Sequence, residues 1–310
     1  MNSVASVFGT RLSRRTAMKG MLAASAAGMF VMRGGIGAFA QDAASYPEVV
    51  ITATEYAFDM PATIESGWIR VTMDNQGMMD HHAMLMRVND DATLEDLQAA
   101  LLEPAFEPMF AVSASVGGPI AGPGVAASVI VDLEPGQYIA ICVIPDDAGV
   151  PHYALGMQAT FEVTEGAAAA EAPATALSVE LMEMMFHGVP AEVAAGPQVW
   201  EVSNPGAQLH ELFVGQLMPG VTFDQLSEMM FAPPSDATPM AGMDHATPGA
   251  APAGPPFTGV GGVAPMNSGH TNYAVFNLQP GEHFMICFVP DSETGAPHAV
   301  LGMMMGFTVA

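Results

Sequence analysis

Ile69, Val71 and Met73 alternate with Arg70, Thr72 and Asp74. A period of two puts one side of this segment in a core and the other in water, which predicts a half-buried strand. The turn signal "NQG" at 75–77 follows, then an apolar run, "HAMLMRV". Further on, "NPG" at 204–206 precedes a second apolar run, "LHELFVGQL". Two stretches break the strand pattern, "TLEDLQAALLE" from Thr93 and "TFDQLSEMMF" from Thr222. Each opens on Thr with Asp96 or Gln225 three residues on, the spacing of a helix capping box. "LEPGQY" and "LQPGEH" are turns between strands, in which proline fixes one φ and glycine supplies a positive one. Short strands with regular turns and one helical excursion predict an all-β chain of small β-sandwiches.

The pattern occurs twice. Pro61, Gly67, Asn75, Gly77, His81, Thr93 and Leu97 match Pro190, Gly196, Asn204, Gly206, His210, Thr222 and Leu226, every pair 129 positions apart. "LEPGQYIAIC" then matches "LQPGEHFMIC" at 145, and His152 and Met157 match His298 and Met303 at 146. One offset held by so many positions is the mark of an internal repeat. It divides the chain into a first domain at 46–164, a small and polar linker at 165–176, and a second domain at 177–310.

Residues 1–40 stand apart. Arg14 and Arg15 precede the apolar run "MLAASAAGMFVM", and "AFA" precedes Gln41. A basic start, a short apolar core and a small-residue site predict a cleavable export signal. "SRR" followed by "xMK" looks like the twin-arginine type. The run is too short to span a bilayer, so the exported chain is expected in the periplasm or outside the cell, not in the membrane.

Without that segment only Arg70 and Arg87 stand against 32 acidic residues, a formal charge of −30. Phosphate binding needs a cationic footprint, so nucleic acid and anionic membranes are excluded as partners. A basic partner protein is favoured instead. Half of the residues are hydrophobic, which excludes global disorder.

The chain's two cysteines occupy matching places, in "CVIPDDAGVPHYALGM" from Cys142 and "CFVPDSETGAPHAVLGM" from Cys287. Each copy therefore carries the same ordered set: His81, Cys142, His152, Met157, and His210, Cys287, His298, Met303. Two imidazoles, a thiolate and a thioether form the ligand set of a copper electron-transfer site. Soft sulfur suits Cu(I) and imidazole suits Cu(II). A lone buried cysteine also serves as a small core residue. A Cys142–Cys287 disulfide would require two equivalent inner positions to meet across domains.

On the order His…Cys…His…Met and the ending "PHxxLGM", each half resembles the cupredoxins, the blue copper proteins. The resemblance covers 46–164 and 177–310. It implies two tandem cupredoxin-like Greek-key β-sandwiches, each with a short helical insertion, and one copper per domain. The gaps of nine and ten residues between cysteine and second histidine exceed those of small cupredoxins and are similar to the long loop of copper nitrite reductases. Lengthening such a loop from four to nine residues costs only ~0.7 kcal/mol of closure entropy. The family usually has Asn after the first histidine, where this chain has His82 and Glu211.

His82 is also a candidate copper contact, as are Met240, Met243 and His245 in the Pro/Gly/Ala-rich insert of the second copy. His187 and His283 stand opposite Phe58 and Tyr138 and read as ordinary positions. The expected function is electron transfer. A copper chaperone or store, and a metal-free interaction module, are the alternatives. Copper enzymes of the nitrite reductase or multicopper oxidase kind carry a histidine directly before the cysteine. Ile141 and Ile286 stand there, which argues against an enzyme.

Overall fold

A computed structural model describes residues 43, 45–103, 106–166, 171–231 and 255–310. The expected export signal at 1–40 and the candidate copper contacts Met240, Met243 and His245 lie outside the described residues. In the first repeat the sequence folds as β1 (Glu48–Thr54), β2 (Ala57–Asp59), β3 (Thr63–Glu65), β4 (Gly67–Asn75), β5 (His81–His82) and β6 (Met84–Val88). Helices α1 (Leu94–Ala100) and α2 (Glu107–Val112) follow, then β7 (Ser113–Ser115), β8 (Pro119–Ala121), β9 (Ala126–Leu133), β10 (Gly136–Ile141) and β11 (Gln158–Thr164). The second repeat begins with β12 (Leu177–Met182), β13 (Met185–His187), β14 (Glu192–Val193), β15 (Gly196–Ser203), β16 (His210–Leu217) and α3 (Phe223–Phe231). It ends with β17 (Phe257–Met266), β18 (Thr271–Leu278), β19 (Gly281–Ile286) and β20 (Met304–Val309).

The chain is all-β in architecture, two cupredoxin-like sandwiches with short helical excursions. In the first, β2-β1-β4-β9 faces β3-β11-β10-β6-β7; in the second, β13-β12-β15-β18 faces β14-β20-β19-β16-β17. The alternation read at 69–74 is realised in β4, where Ile69, Val71 and Met73 are buried and Arg70, Thr72 and Asp74 are not. Thr93 and Asp96 form the expected reciprocal cap on α1. The first excursion has a second helix, α2, where one was expected. Pro108 reads as a helix breaker, yet it lies in the first turn of α2, where a missing N–H costs nothing. His187 pairs with Glu180 as Asp59 pairs with Thr52, so its counterpart is Asp59 rather than Phe58, because Gly188 adds a residue before Pro190. It is exposed, whereas His283 is buried like its counterpart Tyr138.

Separate sandwiches were expected, but the two are joined by strand pairing. β9 pairs with β18 to make one eight-stranded sheet, and β17 pairs with β8, which carries β5 into a seven-stranded sheet with the second repeat. Edge strands that would otherwise be open are closed against each other. The register is symmetric: Val129 pairs with Ala274, its own repeat equivalent, while Ser128 meets Val275 and Ile130 meets Tyr273. A pseudo-twofold axis therefore passes through the Val129–Ala274 pair. Around it Ile120, Phe213 and Ala264 share one buried apolar cluster drawn from both repeats.

Candidate metal centres

Asn75 ends β4 and pins the turn that delivers the first histidine. Its side chain donates to the carbonyls of Met79 (2.8 Å) and Ala121 (2.9 Å) and accepts from the amide of Gly77. Asn204 makes the same three bonds, to Gln208, Met266 and Gly206. This latch requires an amide side chain, which can donate and accept at once. His81 and His210 emerge directly beyond it, both fully buried.

The long loop after each cysteine closes on itself. Asp146 N–H donates to Val150 O, and the Asp146 carboxylate accepts from the amides of Ala148 and Val150. In the second copy Asp291 N–H donates to Ala296 O, and its carboxylate holds the amide and hydroxyl of Thr294. Below these tips Pro145 bridges Pro151, and Pro290 bridges Pro297. The extra residues thus form a small closed hairpin, and the second histidine returns beside the cysteine in spite of the long gap. A short turn follows, 3-10 helical at His152–Leu155 in the first copy. Gly156 and Gly302, at φ 111° and 115°, reverse the chain so that Met157 O and Met303 O accept from the cysteine amides. A side chain would be strained at that φ.

Three donors converge in each copy. Cys142 Sγ lies 3.8 Å from His81 Nδ1 and 3.4 Å from His152 Nδ1, and the two nitrogens are 3.2 Å apart. Cys287 Sγ lies 3.4 Å from His298 Nδ1, which is 3.0 Å from His210 Nδ1. A metal about 2.0 Å from each nitrogen and 2.3 Å from sulfur separates its ligands by about 3.3–3.7 Å across tetrahedral to trigonal angles, and the observed spacings come within about 0.3 Å of that range. The trios therefore fit one metal ion each. All six side chains are buried, as are Met157 and Met303 on the same loops, and both cysteines are free thiols.

Electrostatics prepare the donors. Burial, reinforced by the neighbouring imidazoles, lowers His81 and His210 to about 4, so both are neutral ligands at pH 7. Burial also lowers His152 and His298. The same desolvation raises Cys142 to about 11 and pushes Cys287 up as well, so the metal-free thiols keep their protons. Backbone amides wait for the thiolates: His82 N–H points at Cys142 Sγ (3.3 Å) and Glu211 N–H at Cys287 Sγ (3.5 Å).

Glu55, Glu183, Tyr56 and Gln208, around the sites, have no counterpart in the sequence reading. Glu55 Oε1 lies 3.5 Å from His81 Nε2, and Glu183 Oε1 3.7 Å from His210 Nε2, on the side away from the trio. Burial opposes the charge of each carboxylate, but backbone amides outweigh it: Met78 and Met79 for Glu55, Ala207 and Gln208 for Glu183. These glutamates are 128 positions apart, one short of the main offset, so a search at 129 passes over them. Tyr56 packs on His152 at 4.8 Å between ring centroids. Gln208, where copy one has Met79, holds Asp291 and Ser292 of the loop and approaches His298 Nε2 (3.4 Å). The imidazole of His82 faces Glu211 of the other repeat (3.4 Å).

Fold and donor sets together define two type 1 copper-like sites in paired cupredoxin-like domains. No protein-family model and no curated protein matches the sequence. Among solved structures the chain is similar to a dithionite-reduced auracyanin from the photosynthetic bacterium Roseiflexus castenholzii (18% identity, 43% of this chain and 94% of that one, TM-score 0.26). It is also similar to a copper nitrite reductase from Nitrosomonas europaea (12%, 85% and 93%, TM-score 0.24). A multi-copper oxidase from Pediococcus acidilactici shares 11% identity over 86% of this chain and 59% of that one (TM-score 0.23).

Proposed function

We propose that the chain is an exported, non-enzymatic electron carrier with one type 1-like copper in each sandwich. The observation that carries this reading is the buried Cys–His–His trio, formed twice at spacings that can hold a single metal ion. Copper supplies one-electron exchange between Cu(II) and Cu(I). His81, Cys142 and His152, with Met157, would hold it in the first repeat; His210, Cys287 and His298, with Met303, in the second. The hairpin-closed loops and asparagine latches keep these donors in place, so little rearrangement accompanies a change of charge. The burial of all the donors favours a resident metal over an exchangeable store. Ile141 and Ile286 stand directly before the cysteines, where a histidine would be needed to feed a second metal centre. The acidic surface would steer the carrier to a basic redox partner, and the basic, apolar N-terminal pattern favours export by the twin-arginine route.

Metal analysis with an electronic spectrum on wild type, Cys142→Ser and Cys287→Ser tests the reading. Two coppers and an intense visible charge-transfer band are expected in wild type, with one copper lost in each variant. A loaded protein without that band, or with less than one copper per repeat, would refute it. Slow loss of copper to a Cu(I) chelator is expected of a carrier; rapid loss would favour a store.

A further inference from the structure

His82 and Glu211 are repeat equivalents, 129 positions apart, and they meet across the junction of the sandwiches. Each directly follows a ligand histidine, and each donates its backbone N–H to the thiol sulfur of its own site. The side chains then leave the two sites in opposite directions and converge, His82 Nε2 lying 3.4 Å from Glu211 Oε2. Glu211 Oε1 accepts from the amide of Phe288, the residue after Cys287 (2.7 Å). A continuous chain of bonds and close contacts therefore runs from Cys142 Sγ through His82 and Glu211 to Cys287 Sγ.

Packing alone does not account for the pair. Its side chains are 10% and 2% exposed. A buried pair of this kind generally stabilises a fold no better than apolar residues of the same volume. Apolar side chains, Ile120, Phe213 and Ala264, already fill the neighbouring junction. His82 Nδ1 and Glu211 Oε2 have no hydrogen-bond partner among the described residues, so the pair is not retained to satisfy a polar network.

We propose that His82 and Glu211 bridge the two sites, so that an electron passes directly between them and the chain works as one two-site carrier. This rests on the copper reading above. The electron given up by a reduced metal at one site is taken up by an oxidised metal at the other. No bond forms or breaks, and no proton leaves the pair. An electron accepted at the surface of one sandwich could then be delivered from the other.

The test uses the full chain loaded at both sites, given less than one electron per molecule by pulse radiolysis. A concentration-independent redistribution between the sites is expected. It should slow at least about tenfold in His82→Leu/Glu211→Met, a pair chosen to preserve volume and so the fold. A wild type with no such phase, or an unchanged rate in the variant with both visible bands intact, overturns the bridge alone. Absence of the bands in wild type overturns the copper reading and the bridge with it. If the variant loses its bands, a second measurement decides: Cu(I) is added to Cys287→Ser, which can load only the first site, and amide resonances are followed by NMR. Glu211 and Phe288 should shift more than Val129 and Ala274, which cross the junction elsewhere; equal shifts overturn the proposal.

Discussion

Replacing Glu211 with Gln should make the metal-free protein's stability less sensitive to pH, by an amount the structure sets. The Glu211 carboxyl is buried in the junction, and desolvation raises it from 4.5 to about 7, against the moderating bond from Phe288 N–H. His82 is lowered to about 3, again first by burial, so it stays neutral and does not supply a compensating charge. Between pH 4.5 and 7 the unfolded chain has lost the Glu211 proton and the folded chain still holds it. Folded protein then binds more protons than unfolded, so stability falls as pH rises through this window. At about 1.4 kcal/mol per pH unit, the loss reaches roughly 3 kcal/mol by pH 7 and levels off above it. Gln is uncharged at every pH and can still accept from Phe288. Urea denaturation of wild type and Glu211→Gln, copper removed, from pH 4.5 to 8.5 isolates the effect as a difference. The variant should gain about 3 kcal/mol relative to wild type across the range. A difference that stays constant with pH would refute the reasoning, and would mean that the Glu211 carboxyl titrates alike in the folded and unfolded chains.

Removing the carboxylate behind a ligand imidazole should weaken the metal site: Glu55→Ala is expected to lower copper affinity at the first site about 10–100-fold, with the second site unaffected, by competition titration. Gln208→Met, which gives the second copy the residue of the first, removes the holds on Asp291 and Ser292 and the contact with His298. Copper should leave the second site faster than in wild type, as read by chelator competition on Cys142→Ser, and an unchanged rate would show that the hairpin alone fixes the loop. Because the imidazoles are already neutral at pH 7 and the thiols are not ionised, each Cu(II) should release about one proton on binding. Calorimetry in buffers of different ionisation enthalpy measures that number, and a release near zero would mean that the thiols are already ionised.

The ligand sets were legible because ligand chemistry limits residue type. A soft thiolate, two imidazoles and a thioether are hard to replace, so His81, Cys142, His152 and Met157 recur in order in the second copy while the loop between them changes. Strand periodicity and the Pro-Gly turns were legible for a similar reason, since each is a local constraint that a short window displays. The closed form of the Cys-to-His loop was not, because Asp146 and Asp291 hold their tips through backbone amides, which every residue type except proline supplies. Glu55 and Glu183 escaped because a carboxylate just past the end of a half-buried strand looks like solvated surface until the fold brings it to a histidine. The fusion of the sandwiches escaped too: β9 and β18 are apolar runs whether they meet each other or form separate edges, and only their pairing register distinguishes the cases.

That register gives the difference between His82 and Glu211 its significance. A residue on a pseudo-twofold axis faces its own counterpart. In a symmetric dimer of a single repeat the same position would set two histidines or two glutamates against each other, and two buried like charges repel, so that at least one of the two must be neutral. Fusion into one chain lifts the restriction, because the two positions can then change separately. Val129 and Ala274, also on the axis, have diverged only in size. His81 and His210, off the axis and bound by ligand chemistry, have not diverged at all. At 82 and 211 the change is of another kind: from one shared position the two copies have become a base and an acid that suit each other. Packing at the junction would be served by two apolar residues, and neither site needs the side chain as a ligand. The pair differs in a way that two identical subunits could not achieve, and its contacts reach from the sulfur of one site to that of the other.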